Sequence, residues 1–142
     1  QLNKRIEGKS LSEQTLNIKS KIRELDHFLL HQKNEALELI ESHPEICFKY
    51  LNKGEVLQSK KSTSEGIKDR LKLLSSYDQD AYTLYQEILK NTQRKWVKRD
   101  DILDALVLCI SNELSVLKKT YYFEDQNIQD LKGLKIRLAY FK

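Results

Sequence analysis

Three aspartates crowd the opening of the stretch KRDDILDALVLCI (98–110), and everything after them is apolar. Asp101 and Asp104 stand at i and i+3, so on a helix both point the same way. Asp104 is the harder to explain, because Ile102, Leu103, Ala105, Leu106, Val107 and Leu108 surround it in the chain. A third acid, Glu41, follows the apolar run Ala36, Leu37, Leu39 and Ile40. Carboxylates gathered at one place repel one another unless a cation neutralises them. Oxygen-only ligation with few protein ligands suits Mg²⁺, and paired ions of that kind serve in-line displacement at phosphodiesters, one activating water and the other stabilising the departing oxygen. Glu41, Asp101 and Asp104 are therefore the candidate catalytic and metal-binding residues, with Mg²⁺ or Mn²⁺ as the candidate cofactor. The spacing also admits a plainer reading. Asp100 as an N-cap and Asp101 in the first turn would each stabilise the helix's positive end by about 0.3–1 kcal/mol. Asp104 could then lie on a narrow polar strip with Lys98 or Ser111.

Other residue types add chemistry of their own. Arg94, Lys95, Lys98 and Arg99 surround Trp96, which suits neutralisation of a phosphate backbone with a base stacked on the ring. Solvated lysines around a partly buried Trp account for the same residues. His27 and His31 have metal-pair spacing, but a solvated helix face is expected. Cys47 in EICF and Cys109 in LVLCI read as buried free thiols rather than a disulfide framework, which fits a reducing, cytoplasmic compartment. A net charge of +4 permits a nucleic-acid partner without requiring one. No apolar run approaches the roughly 18 residues of a membrane span, so no membrane partner is expected.

A chain of 142 residues with 32% charged, 39% hydrophobic and a single Pro suggests one helix-rich domain with a real core. Leu11, Ile18, Ile22, Leu25, Leu29 and Leu30 set a period near 3.6 and predict a helix over about 11–32. The run ending at Glu41 predicts a buried strand over about 36–42. Pro44 suits the first turn of a short helix, PEICFKYL, closed by Gly54. A Ser/Thr cap near 62–64 opens a helix carrying Ile67, Leu71 and Leu74, and another follows with Tyr82, Tyr85 and Leu89 on one face. The aspartate-opened helix should run over about 101–119, and alternation at Ile136, Leu138 and Tyr140 predicts a late strand over 137–141. Five helices and two strands give a helix-dominated α/β class. Two strands make a poor sheet, and a near-continuous apolar strand expects parallel neighbours. With Gln1 first and no Met anywhere, the chain is expected to be part of a longer protein, its missing partner strands upstream.

Three ordered motifs carry a resemblance. Glu41, His43, Pro44, Glu45 and Phe48 form the first; Ser59, Lys60, Lys61, Gly66, Arg70 and Leu71 the second; Asp100, Asp101, Leu103, Asp104, Ala105 and Leu106 the third. Together with GKSLSEQTLNIKSKIRELD and DLKGLKIRLAYF they resemble a bacterial and archaeal family, a domain of unknown function whose members are regarded as predicted nucleases of the RNase H-like fold. DILDAL further resembles the last-helix motif of RuvC-type junction resolvases. The resemblance implies the C-terminal portion of an RNase H-like domain acting as a Mg²⁺-dependent nuclease on nucleic acid. It implies that Glu41 is the fourth-strand acid and Asp101 and Asp104 the final-helix pair. Lys60, Lys61 and Arg70 match family positions and could hold phosphates, and His43 could orient a ligand or the attacking water. No segment here matches the first strands, where a glycine-flanked Asp would complete the site, so the resemblance implies a site incomplete in this chain. A non-catalytic binding or assembly role is the alternative, with the missing strands supplied by another chain or an upstream segment.

Overall fold

The computed structural model describes residues 13–31, 39–117, 119–123 and 128–141. Its contacts divide the chain into two units, Gln1–Leu39 and Ile40–Lys142. The first contains helix α1 (Glu13–His31), with an acid in its first turn and a histidine in its last, each the favourable sign for the helix dipole. His31 Nδ1 lies 2.8 Å from the His27 carbonyl oxygen, so the i, i+4 pair closes on its own backbone.

The second unit is α/β and helix-dominated. Its elements are β1 (Glu41–Ser42), α2 (Pro44–Leu51), α3 (Ser64–Ser75), α4 (Ala81–Asn91), α5 (Arg99–Leu117), β2 (Thr120–Phe123) and β3 (Leu138–Phe141). The strands form one mixed sheet in the order β1-β3-β2. β1 runs parallel to β3, with Glu41 opposite Leu138, and β2 runs antiparallel to it, with Tyr121 opposite Tyr140.

α5 is the hub. Ile102, Leu103, Leu106, Val107 and Ile110 are buried along it, at i, i+1, i+4, i+5 and i+8. That is a stripe wide enough to face several partners, and α5 packs against α2, α3, α4 and β3. The stripe closes one core with Cys47, Phe48 and Leu51 of α2, Leu71 and Leu74 of α3, and Ala81 and Tyr85 of α4. Fully burying each of the Leu, Ile, Val and Phe side chains among them contributes about 1.5–3 kcal/mol. Local signals set the helix ends. Pro44 occupies the start of α2, where its missing N–H is no loss. The chain leaves α2 through Lys53 (φ 58) and Gly54 (φ 90), a left-handed exit that suits Gly. The Tyr77 hydroxyl donates to the freed Leu51 carbonyl at 2.6 Å.

The sheet departs from expectation in three places. The strand expected over 36–42 is ordered into the sheet only at Glu41–Ser42; Leu39 and Ile40 are exposed, and 36–38 lie outside the described residues. Among the described residues β1 pairs on one side only, and α5 covers the inner face of β3 instead, where Ala139 and Phe141 are buried. That burial also inverts the phase read from Leu138 and Tyr140. Tyr140 faces away into an aromatic cluster, its ring 4.2 Å from Tyr50 and 4.4 Å from Phe123. Third, β2 was not anticipated: helix α5 stops at Leu117, and Thr120–Phe123, all β-branched or aromatic, pair with β3. Cys47 is buried as expected, whereas Cys109 is exposed. Among the described residues no helix is long and apolar enough to cross a membrane.

Candidate functional site

The loop before α3 is held by one tight turn. The Thr63 hydroxyl donates to the Lys60 carbonyl at 2.8 Å and accepts from the Gly66 amide at 3.1 Å. It therefore caps α3 while pinning the loop above its first turn. The approach is close enough that a Cβ on Gly66 would sit 1.9 Å from the Lys60 carbonyl oxygen. Glycine is required here by space. This turn aims Lys61 across to α5, where its ammonium donates to Asp104 Oδ2 at 2.8 Å and lies 3.9 Å from Asp100 Oδ2. The hydrogen bond to Asp104 holds the Lys61 ammonium above its ordinary 10.5, with burial pulling the other way.

The acids of DDILDAL divide their work. Asp101 Oδ2 accepts from the Lys98 amide at 2.9 Å, reaching back over the start of α5 as a capping residue. The helix begins at Arg99, so Asp100 is inside the first turn rather than at the N-cap. Asp104 lies beside the buried stripe with one oxygen on Lys61, while its Oδ1 is buried without a hydrogen-bond partner. Glu41 is exposed on β1 and borders a cavity of about 340 Å³ with Leu108, Asn112 and the orphaned hydroxyl of Ser111. Leu108 follows Asp104 by one turn, so Glu41 stands over the helix face that carries Asp104.

No three His, Cys, Asp or Glu among the described residues gather closely enough to hold a metal ion. Glu41, Asp101 and Asp104 therefore do not form one cluster here, and Asp101 is occupied by its cap. Asp100 and Asp104 instead share the Lys61 ammonium, and Asp104 Oδ1 is left buried without a hydrogen-bond partner.

The remaining sequence candidates fall in different places. Arg70 departs most from its expected role of holding phosphate. It is only 3% exposed, and its guanidinium donates to Glu45 at 2.8 and 3.0 Å and to the Ser59 and Gly66 carbonyls. It stitches α2 to α3. His43 is the N-cap residue of α2, its ring capping nothing, its carbonyl accepting from Ile46 and Cys47. Lys60 is exposed beside Lys61. Trp96 is 78% exposed, with Lys95 over its ring. Sequence reasoning missed two partnerships, Lys61 with Asp104 and Arg70 with Glu45. The pairs are 43 and 25 residues apart, and opposite charges at such separations carry no local signal.

Residues 1–115 match the family described as "Protein of unknown function (DUF429)", and the chain belongs to that family. No curated protein and no solved structure matches it.

Proposed function

We propose that this family member contributes helix-borne acids to Mg²⁺-dependent hydrolysis of nucleic-acid phosphodiesters, on the C-terminal portion of an RNase H-like fold. Asp104 and Asp100 would hold the ion, Mn²⁺ serving in its place, with Glu41 over the same helix face and a further acid from outside the described residues. One observation carries the reading: Asp104 keeps a buried, unpartnered oxygen beside a second carboxylate. Leaving such an acceptor unmet costs on the order of 1–3 kcal/mol, a cost that a bound cation removes. The likeness of DILDAL to the last-helix motif of RNase H-like nucleases supports the substrate class. A divalent ion bound there would lower the pKa of a water and stabilise the leaving oxygen. Lys61 keeps Asp100 and Asp104 compatible without it, and the exposed Lys60 is free to meet a phosphate. The free cysteines support a reducing, cytoplasmic setting.

A second reading rests on the Lys61–Asp104 pair itself. The same contact ties the α3 loop to α5 and needs no ion, as a non-catalytic binding module would have it. Thermal melts of the parent and Asp104→Asn, each in EDTA and in millimolar Mg²⁺, separate the two. The nuclease reading expects Mg²⁺ to stabilise the parent and to do little for the mutant. Labelled single- and double-stranded DNA and RNA, incubated with Mg²⁺ or Mn²⁺, report cleavage in parallel. A parent indifferent to both ions, in stability and in cleavage, leaves the clamp reading.

A further inference from the structure

A groove of about 490 Å³ runs between α3 and α4, within the roughly 300–1,000 Å³ of small-molecule sites. Its floor is apolar, with Ile67 and Leu71, and Lys68, Lys72 and Arg99 line it while no carboxylate does. Among the described residues none of the three cations is ion-paired; the salt bridges there are those of Lys61 and Arg70. Arg99 Nε is buried with no hydrogen-bond partner. Arg99 is only partly buried, but a donor withdrawn from water and left unmet is costly unless an acceptor meets it. The groove therefore lacks a negative charge.

Its aromatic lining narrows the choice of anion. Tyr82 is 55% exposed, and Tyr85 is buried deeper in the same groove. Burial holds the Tyr85 phenol above its ordinary range, with Arg99 and Arg94 pulling it back and Asp100 adding to the rise. An open tyrosine ring offers a stacking platform, and every nucleobase has a face to lay on it. We propose that this groove binds a nucleoside phosphate, the phosphate on Lys68, Lys72 and Arg99 and the base against Tyr82. Inorganic phosphate would leave the apolar floor and the ring unused, and an acidic peptide would leave the ring without a partner. Asp100, Asp104 and Glu41 do not line the groove, although Asp100 lies near enough to act on Tyr85 within it. Its ligand is either a free nucleotide or one residue of a single strand.

Calorimetry on the full chain in EDTA tests it without any hydrolysis, so its outcome is independent of the nuclease reading. The probes are AMP, adenosine, inorganic phosphate and a ten-residue oligodeoxyadenylate. AMP should bind at least about tenfold tighter than either adenosine or phosphate. Arg99→Gln and Lys68→Glu should each weaken AMP about tenfold. Tyr82→Ala should weaken AMP while leaving phosphate unchanged, and Lys135→Glu, exposed on the segment leading into β3 and outside the groove lining, should alter nothing. An oligonucleotide that binds much tighter than AMP identifies a strand as the ligand; equal affinities identify a free nucleotide. Tyr82 and Lys68 are exposed, so their variants fold. The proposal is overturned if neither AMP nor the oligonucleotide binds at millimolar concentration, if phosphate matches AMP, or if Lys68→Glu and Tyr82→Ala both bind AMP as the parent does.

Discussion

Lys61 Nζ stands 2.8 Å from Asp104 Oδ2, joining the loop before α3 to the second turn of the hub helix. This contact changes what Asp104 is. An acid set in an apolar helix without a partner should gain stability on neutralisation. An acid paired to a lysine should lose it. The Lys61 side chain is 41% exposed and that of Asp104 23%, so water screens the pair and its worth is modest. Asp104→Asn in EDTA is therefore expected to lower stability by about 1 kcal/mol, and Lys61→Met to do the same by leaving the carboxylate half-buried and alone. Urea unfolding of both single mutants and the double mutant gives the coupling directly. A melting temperature raised by Asp104→Asn would show that repulsion among the acids, not the pair, dominates.

The placement of Lys61 depends on Gly66. A methyl group there meets the Lys60 carbonyl oxygen at 1.9 Å, and that atom is backbone, so the loop must lift. Gly66→Ala is expected to cost about 3 kcal/mol, at the upper end of overpacking penalties, although Ala is the better helix former. Thr63→Ala, which removes the cap and the bond to the Lys60 carbonyl but introduces no clash, should cost about 1 kcal/mol. Denaturation midpoints of the two variants check the order. A Gly66→Ala protein as stable as the parent would mean that the loop is not held against α3.

How much of this was legible in the chain follows from range. The helices announced themselves locally: Pro44 opens α2, Thr63 lies within the expected cap at 62–64, and the stripe from Ile102 to Ile110 defines α5. The sheet did not. Its register depends on which face α5 covers, and Ala139 and Phe141 are buried where alternation pointed to Leu138 and Tyr140. TYYF, all β-branched or aromatic, was a local signal for β2, in a stretch that the expected elements, ending at about 119 and resuming at 137, left unassigned. The site was half legible for the same reason. DDILDAL marks the acids, but only the fold shows that Asp101 caps the helix, that Asp100 and Asp104 share Lys61, and that Arg70 is sealed inside.

Arg70 yields a test that separates structure from phosphate binding. Its buried guanidinium meets both Glu45 oxygens and two backbone carbonyls. Arg70→Met should cost about 3 kcal/mol, the scale for breaking a buried pair. Arg70→Lys should recover little, since one ammonium cannot span the forked set of acceptors. Glu45→Gln should cost less, because Glu45 is partly exposed and the amide oxygen still accepts. Urea titrations of the three variants decide it. A fully stable Arg70→Met protein that has lost only nucleic-acid affinity would restore Arg70 as a phosphate ligand.

Alkaline pH reads the Lys61 pair from the other side. The Asp104 hydrogen bond raises the Lys61 value above 10.5, and burial raises that of Tyr85 above 10.0. Each group binds its proton more tightly folded than unfolded. The stability each contributes is full below its unfolded value and is lost as pH climbs through the folded one. These two groups should therefore leave stability flat between pH 6 and 9 and erode it above about pH 10. Tyr85→Phe should delay the onset of the fall, because phenylalanine has no proton to lose in either state. Lys61→Met should flatten the part nearest pH 11, starting from a lower plateau. Guanidinium midpoints measured from pH 7 to 11 give the profiles. If parent and Lys61→Met curves run parallel throughout, the ammonium is not held by Asp104, and the bridge between the loop and α5 is not formed in solution.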